Sequence, residues 1–387
     1  MAADTNASIP ITRPHLPPVE RFTEVVAEIF QSRMLSNFAK YSRLLEERAA
    51  TILDHPSPYS VSSCDIGLTL AWQALECPPG EVIVPSFTFC STVNALRWNG
   101  LVPVFADVDP KTYCIDPEHV RRLISPRTVG IAAVHVFGLP APIGALETLA
   151  HEHGLRLVLD AAHGLGGRYQ GKALGGFGDA SVFSLSGTKL VTGGEGGLAT
   201  FRDPADAERF TFLRVYGFKG DYNCRHIGLN GKLSELNAAL AWLSLDLLET
   251  ALERRHAQVE RYRRALAECP DISWQAIPAG CVHGFKDLAL RFRKPDQRLA
   301  AETELAAAGI MTKRYFFPAH HMEAYKPFVR GRLPVTDELR ERLLCIPLYH
   351  DLADETLDTI ASVIRQSLTA GRDTVRFTRT SVDHAAA

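Results

Sequence analysis

The chain has 387 residues, of which 46% are hydrophobic and 22% charged, a composition that excludes a disordered, fibrous or membrane-spanning protein. With 42 lysines and arginines against 44 aspartates and glutamates, the formal net charge is −2, and the absence of long runs of like charge argues against nucleic acid as the main partner. At roughly 150 residues per domain, this length allows two or three domains.

The cysteines and the amino terminus indicate the cellular compartment of the protein. The eight cysteines are scattered, with no CxxC pair and no spacing typical of metal ligands, so we expect free thiols. The first residues lack the basic and apolar regions of an export signal. The sequence therefore predicts a cytoplasmic protein that does not associate with a membrane.

The first half of the chain has an alternating pattern. Helices are predicted over Val19–Phe30 and Lys40–Leu53. Short apolar runs and helical stretches then alternate, and the apolar runs cover residues 82–89, 102–109, 129–138, 155–162, 180–186 and 196–201. The first four runs are spaced by roughly 20 to 27 residues, which is typical of βαβ units. This pattern predicts an α/β fold with a mostly parallel sheet covered by helices.

The second half is richer in helices. A long amphipathic helix is predicted over Ser234–Glu268. Beyond it, strand-like runs at 287–293 and 343–349 alternate with helices at 297–308 and 354–367. We therefore predict a large α/β domain over residues 1–250, including the first two helices, and a smaller α+β domain over residues 251–387.

Two polar residues follow neighbouring apolar runs and suggest a chemistry. Asp160 lies at the end of one run, and Lys189 follows the next, ahead of the glycine-rich segment 193–197. Ligands of open α/β sheets bind beyond the carboxyl ends of the strands. A lysine can form an imine with an aldehyde cofactor, and pyridoxal 5′-phosphate also needs a carboxylate at its ring nitrogen. Each residue alone is more often a turn residue or a surface charge, but the pair favours a pyridoxal phosphate site.

Five segments, in the same order along the chain, resemble the DegT/StrS sugar aminotransferases. They cover residues 80–120, 126–143, 157–201, 228–249 and, near the end, 318–328 with 333–352. The resemblance implies a fold type I pyridoxal phosphate enzyme, with a large, mostly parallel sheet of the seven-stranded type and a small α+β domain. It also implies the amination of keto-sugars carried on a nucleotide.

The resemblance assigns roles to the central residues. Lys189 matches the lysine that binds the cofactor and then moves the proton, and Asp160 matches the partner of the pyridine nitrogen. Phe89 matches the aromatic that stacks on the cofactor ring, the alternative being ordinary core packing. Ser184 matches a hydroxyl that binds the phosphate. Relatives that dehydrate deoxysugars have histidine in place of Lys189, so the lysine favours transamination.

Further residues are assigned with alternatives. Segment 62–67 resembles the phosphate turn ahead of a helix predicted at 68–75, so the amides of Asp65 and Ile66 are expected to bind phosphate. Asp65 replaces the usual threonine, and we expect its carboxylate to turn away, the alternative being a plain helix cap. His163 replaces the usual glutamine and is expected either to donate to the phenolic oxygen or simply to pack. Asn230 and Lys232 match residues that reach a neighbouring subunit's phosphate, the alternative being a solvated loop.

The match to Asn230 and Lys232 implies a homodimer with shared active sites. For substrate contacts, the candidates are His135, Arg314, His320 and His321. The residue that binds the donor's carboxylate is left open among Arg214, Arg225 and Arg314, by residue type only. Adjacent histidines on extended chain point to opposite sides, and no ligand spacing accompanies His320 and His321, so we expect no metal.

Together these observations predict the following reaction. An amino acid, glutamate or glutamine, donates nitrogen to a nucleotide-linked keto-deoxysugar with pyridoxal phosphate as cofactor. One alternative is a cyclitol or related ketone of secondary metabolism as substrate. Another is a non-catalytic, regulatory protein that binds the same cofactor. The motifs do not distinguish the sugar, the nucleotide or the carbon that is aminated.

Overall fold

The computed structural model of the chain describes residues 8–380. Its first part contains α1 (Val19–Ser32), α2 (Lys40–Ile52), β1 (Tyr59–Val61), α3 (Cys64–Ala74), β2 (Glu81–Pro85), α4 (Cys90–Trp98), β3 (Val102–Ala106), α5 (Pro117–Leu123), β4 (Thr128–Val134), α6 (Ile143–His153) and β5 (Arg156–Ala161). The two short strands β6 (Arg168–Tyr169) and β7 (Lys172–Ala173) follow, and then β8 (Ala180–Ser184), β9 (Gly197–Phe201), α7 (Pro204–Leu213) and α8 (Glu235–Ser244).

The remainder begins with a long helix, α9 (Leu248–Ala265). It continues with β10 (Ile272–Trp274), β11 (Cys281–Val282), β12 (Leu288–Phe292), α10 (Pro295–Ala307), α11 (Pro334–Arg342), β13 (Leu343–Ile346) and α12 (Asp354–Thr380). No helix of residues 8–380 is long and apolar enough to cross a membrane.

The central sheet has seven strands in the order β1-β9-β8-β5-β4-β2-β3. Strands β8, β5, β4, β2 and β3 are parallel, whereas β9 runs antiparallel to both β8 and β1. Strand β9 reverses direction because a loop, and not a crossover helix, joins it to β8. The predicted α/β fold with a mostly parallel sheet is therefore confirmed, and Lys189 lies in this loop.

Helices cover both faces of the sheet, which explains the uninterrupted apolar runs in the sequence. Every residue of β2, β8 and β9 is buried. On one face the core contains Leu45 of α2 and Leu146 of α6. On the other it contains Leu68 of α3 and Phe210 of α7. Because helices cover both faces of the sheet, its accessible part is the row of loops beyond the ends of the strands.

A smaller sheet, in the order β10-β12-β13, lies in the carboxy-terminal part and is antiparallel. Its core includes Val259 and Tyr262 of α9 together with Leu305 of α10. Helix α9 crosses the predicted boundary at residue 250, and Ile9 pairs with Ile310 beside this core. The two-domain division stays a proposal, and residues 1–7 and 381–387 of the predicted domains lie outside the described residues.

Two helices differ from the sequence-based expectation. The predicted helix over Ser234–Glu268 is divided into α8 and α9 by a short 3-10 turn at Leu245–Leu247. Helix α3 begins at Cys64 instead of residue 68, because the Ser63 hydroxyl accepts a hydrogen bond from the Ile66 amide at 3.2 Å and caps the helix. This earlier start places the helix amino terminus beside the loop that contains Lys189.

Candidate active site

A cavity of about 330 Å³ lies beyond the carboxyl ends of the parallel strands. It brings together six of the residues predicted from the sequence, which are Asp65, Phe89, Asp160, His163, Ser184 and Lys189. Three hydroxyl residues, Ser63, Ser186 and Thr188, and three residues from the carboxy-terminal part, Lys313, Tyr315 and Phe316, complete much of the lining.

Lys189 has an unusually acidic ammonium group. Burial, helped by the nearby charge of Lys286, lowers its pKa to about 8 against the opposing effect of Asp287. A lysine amine is a nucleophile and a base only when it is neutral. At a pH near 8 a large fraction of Lys189 is therefore ready to react with an aldehyde or to accept a proton.

Asp160 lies at the end of β5 and is held on both carboxylate oxygens. The Thr92 hydroxyl donates to Oδ2 at 2.7 Å, and the Ala162 amide donates to Oδ1 at 3.0 Å. The pKa of Asp160 is nevertheless raised by its burial. A buried carboxylate in this cavity suits a partner that brings a proton, such as a pyridinium nitrogen.

Thr88 and Thr92 support this aspartate and were not among the expected site residues. Their hydroxyls lie 2.7 Å apart, and Thr92 in turn contacts Asp160. Thr88 lies just before α4 and Thr92 lies in its first turn, and their position directly after the apolar strand β2 is the signal that would have identified them.

Phe89 stands at the position before α4 and lines the cavity. Its side chain is 57% exposed, so Phe89 is not part of the buried core. An exposed aromatic face at the mouth of a polar cavity can stack on a planar ring.

The opposite side of the cavity has the groups that an anion needs. Ser63 and Asp65 line it at the amino terminus of α3, and Ser184 lines it at the end of β8. Helix amino termini and hydroxyls favour phosphate. Ile66 differs from its expected role, because it does not line the cavity and its amide already donates to Ser63.

His163 packs near a charged pair that the sequence pattern did not single out. Its Nδ1 atom is buried without a hydrogen-bond partner among the described residues and lies 4.0 Å from Oδ2 of Asp287. Burial lowers the pKa of His163 well below its usual value, and Lys189, Lys286, Lys313 and His283 lower it further. His163 is therefore neutral in this environment.

None of the four predicted substrate residues lines this cavity. His135 is buried, its Nδ1 accepts a hydrogen bond from the Ala141 amide at 2.9 Å, and burial lowers its pKa to about 3. Arg314 is exposed and donates to Glu302 at 2.8 Å. Neither side chain lines the cavity, and both are left out of the site proposed below.

The two adjacent histidines have a geometry that corrects the expectation of opposite sides. Residues 319–321 form a 3-10 turn instead of extended chain, so the rings of His320 and His321 lie 4.0 Å apart between centroids. Their Nε2 atoms contact Oδ1 of Asp337 at 3.1 and 2.6 Å. This group has ligand atoms close enough for a metal ion, but hydrogen bonds already satisfy it, including Ser86 on His320 at 2.6 Å. The absence of a metal stays a prediction.

Asn230 and Lys232 lie outside the cavity of their own chain. Asn230 forms an isolated bridge with Val215, and Lys232 lies over the ring of Tyr216 at 5.1 Å. Their expected role in a second subunit's site stays a prediction.

The three arginines considered for the donor's carboxylate are all engaged elsewhere. Arg214 donates to Glu46 at 2.9 Å, Arg225 donates to Asp221 at 2.8 Å, and Arg314 pairs with Glu302. Lys313 instead lines the cavity and has no acidic side chain within ion-pairing distance in the described part of the chain.

Comparison with known proteins identifies aminotransferases of similar sequence. A UDP-N-acetyl-3-dehydro-alpha-D-glucosamine 3-aminotransferase of Acidithiobacillus ferrooxidans is 33% identical over 329 residues, which cover 84% of this chain and 88% of that protein. A dTDP-4-amino-4,6-dideoxy-D-glucose transaminase of Shigella dysenteriae is 32% identical over 363 residues, 92% of this chain and 98% of that protein.

Solved structures resemble the whole fold. DesI, determined in the presence of its TDP-sugar product, superposes with a TM-score of 0.90 at 33% identity and covers 96% of each chain. The aminotransferase TlmJ of Streptoalloteichus hindustanus superposes with a TM-score of 0.89 at 30% identity, covering 94% of this chain and 99% of that chain. The model of the DegT/DnrJ/EryC1/StrS aminotransferase family matches residues 18–365. The resemblance predicted from the sequence is thus confirmed, and the chain belongs to the DegT/DnrJ/EryC1/StrS aminotransferase family.

Proposed function

We propose that this aminotransferase uses pyridoxal 5′-phosphate to move an amino group from an amino acid, glutamate or glutamine, to the keto carbon of a nucleotide-linked deoxysugar. The observation that carries the proposal is the presence of the acidic ammonium of Lys189 and the buried carboxylate of Asp160 in one cavity. The relatives are named for UDP-linked and dTDP-linked sugars, and these names support a nucleotide-linked sugar as the substrate.

The residues of the cavity fit this cofactor. Asp160 would hold the ring nitrogen, Phe89 would cover a ring face, and Ser184 would bind the phosphate together with the amino terminus of α3. Lys189 would bind the aldehyde. When bound, pyridoxal phosphate supplies an electron sink that stabilises negative charge on the carbon next to the amino nitrogen.

The residues of this chain then perform the proton chemistry. Lys189 Nζ, with its pKa lowered to about 8, takes the proton from the substrate carbon that bears nitrogen. Asp160, held by Thr92 and Ala162, would keep a proton on the ring nitrogen of the bound cofactor.

The proposal is tested with purified full-length protein. We expect an absorbance band of bound cofactor, borohydride reduction that fixes the cofactor to the peptide containing Lys189, and loss of the band on addition of glutamate or glutamine. Lys189→Ala is expected to abolish transamination, whereas Lys172→Ala, which changes an exposed lysine on β7, serves as the control.

Two outcomes would contradict the proposal. Transamination retained by Lys189→Ala would exclude the assigned role of the lysine. Bound cofactor that no amino acid converts would favour the non-catalytic alternative. With the amino-loaded enzyme, a nucleotide-linked keto-sugar is expected to accept nitrogen faster than a free keto-sugar or a cyclitol ketone, and the reverse order would overturn the substrate class.

A further inference from the structure

A buried pair of charges lies beside His163 at the cavity, and its effect on the charge of Lys189 is the only role described above. Lys286 is 2% exposed and Asp287 is 7% exposed. Lys286 Nζ donates to Asp287 Oδ1 at 2.8 Å. Burying two charges carries a desolvation penalty, and apolar residues of similar size often serve a core equally well. Stability alone therefore does not account for a charged pair at this position.

The second oxygen of Asp287 indicates what the pair does. Oδ2 is buried and has no hydrogen-bond partner in the described part of the chain, and the same is true of His163 Nδ1. These two atoms face each other at 4.0 Å. A buried polar atom without a partner is unfavourable, so a donor and an acceptor at this distance gain from moving together. A shift of about 1 Å would form the hydrogen bond.

The direction of this hydrogen bond follows from the charges around it. His163 is neutral, because burial and the positive charges of Lys189, Lys286 and Lys313 disfavour a second proton on its ring. A neutral imidazole has one N–H, and an ionised carboxylate only accepts. Contact between the two groups therefore requires the proton to lie on Nδ1.

We propose that Asp287 is a positioning residue, with Lys286 holding its Oδ1 while its Oδ2 accepts the Nδ1 proton of His163, so that Nε2 of His163 is left as a hydrogen-bond acceptor. Phe316 lies nearly parallel to the imidazole ring, with 6.3 Å between centroids and 20° between planes. The tautomer follows from the contacts alone, whereas its effect on transamination rests on the proposed function.

This arrangement changes the expected role of His163. With Nε2 unprotonated, the ring cannot donate to the phenolic oxygen of the cofactor, as expected from the sequence. It accepts instead from a protonated oxygen or an amine in the cavity. Asp287 thereby selects which groups His163 can recognise.

The first measurement reads the tautomer. In full-length protein labelled with ¹⁵N-histidine, NMR distinguishes a proton on Nδ1 from one on Nε2, and a His163→Gln variant identifies the signal. We expect the proton on Nδ1 in the wild type. We expect a mixture or the Nε2 form in the double variant Lys286→Met/Asp287→Leu, which removes both charges of the pair. A proton on Nε2 in the wild type, or an unchanged signal in the double variant, would overturn the proposal.

The second measurement is kinetic. We expect kcat to fall on the order of tenfold in the double variant, while KM for the amino donor changes little. The control Arg254→Met/Asp354→Leu removes a pair with a 2.7 Å contact outside the cavity and is expected to leave kcat unchanged. An unaltered kcat in the Lys286/Asp287 variant would contradict the functional part. If the wild type fails to transaminate, the proposed function fails, and the NMR result still decides the position of the proton.

Discussion

At the scale of single residues, the reactivity of Lys189 is set by its neighbours. Its pKa is lowered to about 8 by burial and by Lys286. Because only the neutral amine attacks an aldehyde, we predict that the rate at which cofactor-free protein binds added pyridoxal phosphate rises with pH, with a midpoint near 8. Absorbance measured across a pH series gives this midpoint.

The variant Lys286→Met tests whether the charge of Lys286 lowers the pKa of Lys189. The substitution removes a positive charge and leaves Asp287, whose negative charge favours the protonated lysine, so the midpoint is expected to move to higher pH. Lys219→Met, in an exposed lysine paired with Glu208 at 3.2 Å, should leave the midpoint in place. A midpoint that does not move in Lys286→Met would show that the pair does not act on Lys189.

Lys313 is the second residue with a testable role. It lines the cavity, whereas the arginines considered for the donor's carboxylate are paired outside it. We predict that Lys313→Gln raises KM for the amino donor by about tenfold or more, since it removes a charge-assisted hydrogen bond worth ~1.5 kcal/mol or more. Steady-state kinetics with each substrate varied in turn measure the effect. A KM that rises for the nucleotide-sugar instead would place Lys313 against the diphosphate.

At the scale of secondary-structure elements, a side chain from one helix caps another. Glu235 of α8 is 1% exposed. Its oxygens accept hydrogen bonds from the amides of Tyr41 at 2.6 Å and Ser42 at 3.1 Å, in the first turn of α2. A carboxylate at a helix amino terminus also interacts favourably with the helix dipole. Glu235 therefore joins the amino-terminal helices to the large sheet domain.

Removing this cap is expected to be costly. Glu235→Ala leaves buried amides without an acceptor, and we predict a loss of about 2 to 4 kcal/mol in the free energy of unfolding. Urea unfolding followed by circular dichroism measures it. Glu253→Ala, in an exposed glutamate of α9, should change the same free energy by less than about 0.5 kcal/mol. Equal effects of the two substitutions would exclude the capping role.

At the scale of the whole molecule, the position of Lys232 has a consequence for assembly. Lys232 lies outside the cavity of its own chain, so the expected contact with the cofactor phosphate requires a second copy. We predict a homodimer in which Lys189→Ala and Lys232→Ala are each nearly inactive. Random exchange of their subunits should restore about a quarter of the wild-type activity, because half of the dimers then have one intact site of two.

The same subunit exchange can also contradict the prediction of shared sites. If Lys232 served its own chain, both sites of each mixed dimer would be defective, one without Lys189 and the other without Lys232. No activity would then return. Sedimentation of the wild type checks the dimer itself, and a monomer would refute shared sites. The loop before Lys232 also exposes two large apolar side chains, Tyr222 and Ile227.

The sequence by itself determined the sheet and the half of the site that the sheet presents. The apolar runs predicted the strands, and residues at or just beyond the strand ends, such as Asp160, Ser184 and Lys189, line one cavity. The reason is geometric, because parallel neighbouring strands end at the same edge of the sheet. A local pattern is therefore sufficient to place these side chains together.

Only the tertiary structure decided which distant groups complete the site. Lys286, Asp287 and Lys313 follow Lys189 by about a hundred residues, and their approach depends on how the smaller sheet and α9 pack beside the large one. Likewise, His135 and Arg314 are polar residues of suitable type, but packing buries the first and pairs the second with Glu302. Periodicity reports which face of an element is buried, whereas contacts between elements distant in sequence arise only when those faces pack.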